Sequence, residues 1–329
     1  FFSDRCCFRM HARGLRAPLL AARTGVRFRS TYPTATERLV TLRRLMEERK
    51  KTEDVVRVME AHSGLSALIA EKARGEDGQA FDAVWSSSLT SSTIKGKPDI
   101  ETVDTSARIG IVEDILEVCS LPMVYDGDTG GEPQIFHFTV RSLERLGVSA
   151  CIIEDKTGLK QNSLFGTDRK QQLEDINTFC AKIKAGKNAQ ITKEFMVVAR
   201  MESLIAGWGE EEALNRAKAC IEAGVDAIMI HSKEKKPDEV LSFLEAYNKF
   251  PNKVPVVAVP TTYNTITEKE LARQGVSIVI HANQLLRASY YPMFEVAKSI
   301  LTHGRSKEAD SKLMSVKEIL TLIDDGTGN

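Results

Sequence analysis

The feature that most constrains this chain is a pattern that repeats eight times from residue 55 onward. A short, β-branched apolar run ends in polar residues, and an amphipathic stretch follows it. The runs span residues 55–62, 81–88, 121–128, 149–156, 195–202, 226–233, 254–261 and 276–283. Continuous apolar runs suit strands covered on both faces, as parallel strands are when helices flank them. Between them, residues 135–146 place Phe136, Val140, Leu143 and Leu146 on one helical stripe. Residues 170–186, 211–223 and 285–302 read as helices too, with Gly224 at the C-cap position of the second of these. Eight strand–helix alternations predict an α/β fold of the (β/α)8 TIM-barrel type. A doubly wound sheet is the competitor, but neither G-x-G-x-x-G nor G-x-x-x-x-G-K-[ST] is present to supply its phosphate loop. The expected organisation is a leader over 1–35, one catalytic barrel over 36–303, and a tail over 304–329 with one short helix at Met314–Ile323.

Charge separates the leader from the rest. The 329 residues hold 45 basic and 45 acidic side chains, a net of zero, which argues against a general nucleic-acid binder. No apolar run approaches the roughly 20 residues that cross a bilayer. Residues 1–31, however, carry seven arginines, no lysine and one acid, leaving 38 basic against 44 acidic side chains beyond them. An Arg-rich, acid-poor, Ser- and Ala-bearing start reads as a mitochondrial transit peptide, with a disordered extension in a cytoplasmic protein as the alternative. The six cysteines, Cys6, Cys7, Cys119, Cys151, Cys180 and Cys220, show no metal or redox spacing. Buried free thiols in a reducing compartment are the expectation.

In a barrel of this type the strand C-termini share one face, and active sites are built there. The polar tails that should converge are Glu60 and His62, Trp85 to Ser88, Asp126 and Asp128, Glu154 to Lys156, Arg200 and Glu202, His231 to Lys233, and Thr261. Carboxylates from the third, fourth and fifth runs aimed at one point call for a cation. Asp126 and Asp128 in D-G-D share one side of an extended chain, and with Glu154 they make an all-oxygen site suited to Mg²⁺ or Mn²⁺ rather than Zn²⁺. A glycine-rich turn without metal is the bland alternative. The segment from Glu154 to Gly166, E-D-K-T-G-L-K-Q-N-S-L-F-G, follows the fourth run where a mobile lid would sit.

At these residues the chain resembles a known family. E-A-H-S-G-L-S-A, W-S-S-S-L, G-K-P-D, D-G-D-T-G-G, the lid segment, A-R-M-E-S, I-M-I-H-S-K and V-P-T-T-Y occur in order between about Leu42 and Leu322. Together they resemble the phosphoenolpyruvate mutase family of the isocitrate lyase superfamily. The lyase branch carries K-[KR]-C-G-H in the lid; the aligned residues here are Lys160 to Leu164, without the cysteine. The resemblance implies an intramolecular phosphoryl transfer between phosphoenolpyruvate and 3-phosphonopyruvate, with phosphonopyruvate hydrolysis as the alternative and a catalytically dead scaffold as the third reading.

It also implies roles. Asp126 is the expected direct Mg²⁺ ligand, with Asp128 and Glu154 holding the metal's waters and Mn²⁺ as a substitute. Ser87, Ser88 and Leu89 are expected to bind the substrate carboxylate, largely through backbone N–H groups, beside a Trp85 wall, with Ser163 as a further substrate contact. Arg200, His231 and Asn162 are expected to grip the phosphoryl group, with Glu202 behind Arg200 and Lys160 adding charge as the lid closes. Asp99 is the expected phosphoryl acceptor or orienting group. A structural ion pair for Arg200 and Glu202, and a structural role for His231, are the alternatives. The resemblance further implies a homotetramer that exchanges its last barrel helices, and coupling to a phosphonopyruvate decarboxylase.

Overall fold

The computed structural model describes residues 32–158, 160–168 and 170–323; of the leader expected over 1–35, residues 1–31 lie outside them. Helix α1 (Ala35–Lys51) comes first, followed by β1 (Val56–Glu60), α2 (Gly64–Lys72), β2 (Ala83–Ser86), α3 (Ser88–Ile94) and α4 (Thr105–Leu116). Next are β3 (Met123–Asp126), α5 (Pro133–Leu146), β4 (Ala150–Glu154), α6 (Ile176–Ala189), β5 (Met196–Met201) and α7 (Gly209–Glu222). The remainder is β6 (Ala227–Ile230), α8 (Asp238–Tyr247), β7 (Val256–Ala258), α9 (Glu268–Arg273), β8 (Val276–His281), α10 (Gln284–His303) and α11 (Val316–Leu320). Each strand pairs in parallel with the next and β8 pairs with β1, so the sheet closes into the expected (β/α)8 barrel. Every apolar run contains one strand.

Two helices differ from the expectation. The stretch from 170 yields α6 only from Ile176, because the Asp175 carboxylate accepts the N–H groups of Asn177 and Thr178 and fixes the start there. The residues before it run back along the lid, where Leu173 bridges Lys156. The tail holds two short helical segments and not one. A 3-10 helix covers Lys307–Lys312, and a Ser315–Glu318 capping box starts α11 at Val316.

Strand alternation sorts the side chains into two layers. Val56, Val58, Ala83, Trp85, Val124, Ala150, Ile152, Met196, Val198, Ala227, Met229, Val257, Ile278 and Ile280 fill the barrel interior. Their neighbours Val84, Met123, Tyr125, Cys151, Ile153, Val197, Ala199, Ile228 and Ile230 pack outward against the helices. Helix α1 closes the N-terminal end: Leu42 is fully buried in the interior cluster, with Leu45 and Met46 against it. Its polar side is tied to loops that enter the strands. Arg38 donates to the carbonyls of Leu116 (2.7 Å) and Cys119 (3.1 Å), and Arg43 pairs with Asp226 at 2.6 Å. The four cysteines in the described residues are free, three of them buried.

Candidate active site

The same alternation, continued past the strand ends, decides what enters the C-terminal mouth. From interior residues 124, 152, 198 and 229 a step of two reaches Asp126, Glu154, Arg200 and His231. Trp85 leads to Ser87 in the same way. A cavity of about 60 Å³ opens there. Trp85, Ser87, Ser88, Leu89, Asp99, Asp126, Lys160, Asn162, Ser163, Arg200 and His231 all line it. Asp128, Glu154 and Glu202 stand behind this lining. Asp155 has the opposite parity and points to the helix layer, where it pairs with Arg216 of α7 at 3.2 Å and accepts the Glu202 N–H at 2.8 Å. Burial pushes its carboxyl up to about 7 against the pull of Arg216.

The Asp126–Asp128 turn has little freedom. A Cβ on Gly127 would lie 2.7 Å from Cys151 Sγ and 2.9 Å from the Ile152 carbonyl, so only glycine fits. Asp128 adopts φ +53°, in the left-handed region. Asp126 Oδ2 accepts from the Ser88 N–H (3.0 Å) and hydroxyl (2.7 Å). Burial opposes its ionisation, but Lys160, Arg108 and Arg200 hold its carboxyl well below the usual range.

Protein groups already engage several of the expected ligands here. Ser88 offers no free amide to a substrate carboxylate, because the buried Asp126 carboxylate takes both of its donors. Nor do the acids face one another across empty space. Among the described residues, no group of three His, Cys, Asp or Glu is arranged to hold a metal ion. Basic side chains stand between them instead. Lys160 Nζ contacts Asp128 and Ser88 and lies 3.2 Å from Asp99, Arg108 meets Asp128 at 3.0 Å, and Lys156 and Arg200 lie 3.2 and 3.4 Å from Glu154. Three acids at the strand ends therefore have counter-charges from the protein itself. The donor set still fits a hard divalent cation. It is all oxygen, and both Glu154 carboxylate oxygens are buried without a hydrogen-bond donor. Burial raises the Glu154 carboxyl while Lys156 and Arg200 oppose the rise.

The lid is held down through three side chains of different kinds, Lys160, Asn162 and Ser163. Lys160 engages Asp99 and Asp128. Asn162 Nδ2 donates to Asp99 Oδ2 at 2.7 Å. The Ser163 hydroxyl donates to Glu202 Oε2 (2.5 Å) and accepts from Lys156 (2.9 Å) and Arg200 (2.7 Å). Expected as a substrate contact, Ser163 spends its hydroxyl on this network. Arg200 also donates to Glu202 Oε1 at 2.5 Å, and its Nη2 lies 2.9 Å from His231 Nδ1. His231 is held below its ordinary pKa by burial first and by Arg200 second, so the ring is neutral. Glu202, despite burial, is held well below its ordinary value by Arg200, Lys156 and His231.

Several neighbours were not found from sequence. Leu164, Met229, Val259, Ala282 and Asn283 complete the lining together with Thr261, which was expected among the converging tails. Asn283 carried a readable signal, since it ends the eighth apolar run as polar residues end the other seven. Glu60 and His62 bond each other instead of joining the acids, and Glu60 also accepts the Leu286 N–H of α10 at 3.2 Å.

A family model described as phosphoenolpyruvate phosphomutase matches residues 45–301, more than half of the chain. The chain belongs to that family. Among relatives, the phosphonopyruvate hydrolase of Variovorax sp. (strain Pal2) is 40% identical over 269 residues, covering 81% of this chain and 89% of the relative. The phosphoenolpyruvate phosphomutase of Tetrahymena pyriformis is 38% identical over 273 residues, covering 83% and 88%. A crystal structure of phosphonopyruvate hydrolase in complex with oxalate and Mg²⁺ superposes with a TM-score of 0.76 at 36% identity, over 88% of this chain and 95% of that one. The protein is thus an enzyme of the phosphoenolpyruvate mutase and isocitrate lyase superfamily, with mutases and hydrolases both among its relatives. No helix among the described residues is long and apolar enough to cross a membrane.

Proposed function

We propose that this enzyme is a phosphoenolpyruvate mutase, moving a phosphoryl group between the C2 oxygen of phosphoenolpyruvate and C3 of 3-phosphonopyruvate. The observation that carries the reading is the closed lid. Lys160 and Asn162 are clamped on Asp99, and Ser163 on Arg200, over a cavity of only about 60 Å³. A phosphoryl group in flight between two atoms of one molecule must be kept from water, and a closed loop is the usual means. Positioning and charge supply most of the catalysis, since the transferring group is loose and metaphosphate-like.

The residues divide the work. Arg200 and Asn162 hold phosphoryl oxygens. His231 Nδ1 lies 2.9 Å from both Arg200 Nη2 and Glu202 Oε1, and these two partners fix the ring beside the phosphoryl site. Asp99, held between Lys160 and Asn162, orients or retains the group while the pyruvate enolate turns to present C3. In this reading Asp126 would hold Mg²⁺ directly, and Asp128 and Glu154 would hold it through its waters, with Mn²⁺ as a substitute. When bound, the cation stabilises enolate charge at C2. The Leu89 amide remains for the substrate carboxylate, with Trp85 as a wall.

The assembly we propose is a homotetramer exchanging its last barrel helices. What supports it is α10, which has no buried residue and exposes Tyr290, Tyr291, Met293, Phe294 and Leu301. We also propose that residues 1–31 direct the chain to mitochondria, testable with a fluorescent fusion, and that a phosphonopyruvate decarboxylase draws off the product.

The second reading, phosphonopyruvate hydrolysis, is favoured by the 40% identity to a hydrolase. Supplying phosphonopyruvate and Mg²⁺ and following phosphorus NMR separates the two. Phosphoenolpyruvate as the product is expected; phosphate and pyruvate would replace the mutase reading with the hydrolase.

A further inference from the structure

Helix α4 carries a buried arginine that none of the steps above uses. Arg108 shares the apolar stripe of Ile111, Val112 and Ile115 at helical spacing, where a buried charge is costly unless it is paired; its Nε has no hydrogen-bond partner, so the pairing falls to the two terminal nitrogens. Its guanidinium lies 4.2 Å from the centre of the Tyr125 ring. Nη1 donates to the Asp126 carbonyl at 2.5 Å and to Asp128 Oδ2 at 3.0 Å. Nη2 donates to the Ser86 carbonyl at 3.1 Å. One planar fork therefore ties the end of β2, just before Ser87 and Ser88, to both acids of the D-G-D turn. Lysine, a point charge without the fork, cannot reproduce that pattern. The turn needs such a tie, because Asp128 sits at φ +53° and strained backbone persists only where its surroundings hold it.

We infer that Arg108 is a positioning residue for the acid turn, fixing Asp126 and Asp128 in the arrangement that receives a divalent cation. The inference rests on the metal reading above. It concerns geometry and not charge: a guanidinium beside the acids repels an incoming cation, so charge alone would make Arg108 a hindrance. Outer contacts that orient metal ligands typically set affinity by about 10–100-fold.

The test uses the full chain and Mn²⁺ alone, with free Mn²⁺ read by electron paramagnetic resonance. Wild type is compared with Arg108→Lys, which keeps the charge and loses the fork, and with Arg108→Gln, which loses the charge. Arg38→Lys is the control. It removes another buried guanidinium that bonds two carbonyls, but at the opposite end of the barrel. Arg108→Lys should weaken Mn²⁺ binding about 10–100-fold, while Arg38→Lys lowers the unfolding temperature without moving Mn²⁺ affinity. Wild-type affinity in Arg108→Lys would overturn the inference while leaving the metal reading intact. Failure of both Arg108 variants to fold, with Arg38→Lys folded, would make the residue purely structural and overturn it too. Wild type that binds no Mn²⁺ would overturn the metal reading and this inference with it.

Discussion

The two ends of the barrel are built from opposite materials. At the N-terminal end, Leu42, Leu45 and Met46 of α1 fill the opening with apolar volume, and the charges around them, such as Arg43 with Asp226, pair at the partly exposed edge. At the C-terminal end, Asp126, Glu154, Glu202, Lys160 and His231 are buried together, Asp128 is strained, and both Glu154 oxygens lack a hydrogen-bond donor. Buried, incompletely satisfied charge is a poor way to stabilise a fold and a useful way to pre-organise a site. Stability should therefore be sensitive at one end and activity at the other.

Substitutions can break that division, and the largest effect should come from Asp126→Ala. Activity should fall more than about 1,000-fold, with a calorimetric unfolding temperature close to wild type. A collapse in stability would mean that the mouth also holds up the barrel. The mirror image is Leu42→Ala, which should cost about 2–5 kcal/mol of unfolding free energy in a denaturant titration. Its kcat should stay near wild type, and a matching loss of kcat would show that the plug shapes the far end. Asn162→Ala should lower the rate about 100-fold, the scale of one lost donor to a transferring group, measured at saturating substrate.

The smallest expected effect sharpens the stability side. Asp54, at the entry to β1, is held below its ordinary pKa: burial works against this, but the Val55 N–H, Arg57 and Arg49 outweigh it. A lowered folded pKa means the folded state binds fewer protons than the unfolded one. The gain is complete above the ordinary aspartate value of about 3.9 and is lost as pH falls through the folded value. Asp54→Asn should therefore unfold slightly earlier than wild type at neutral pH, and the gap should close in acid. A gap that stays constant with pH would remove the ion-pair explanation.

Much of this was legible in the sequence because it obeys the period of two. Strands β1 to β8 lie within the eight apolar runs, and the same parity carries Asp126, Glu154, Arg200 and His231 inward. The lid residues were legible through the resemblance of K-Q-N-S. What was not legible arrives from outside the strand: Arg108 reaches the acid turn from a helix, and α1 plugs a barrel that comes after it in the chain. For Arg108 there was a faint signal, a basic residue on an otherwise apolar helical stripe, but its partners are set by packing. The commitments of Ser88 to Asp126 and of Ser163 to Glu202 depend on distances that no spacing rule supplies. Helix α6 started late because Asp175 caps it.

The central claim is that the charged end moves a phosphoryl group within one molecule while keeping water out. Its most direct test is a single turnover of phosphonopyruvate with Mg²⁺ in ¹⁸O-enriched water, with products resolved by phosphorus NMR. The account predicts phosphoenolpyruvate without solvent oxygen on phosphorus. Inorganic phosphate carrying one ¹⁸O, with pyruvate beside it, would contradict it.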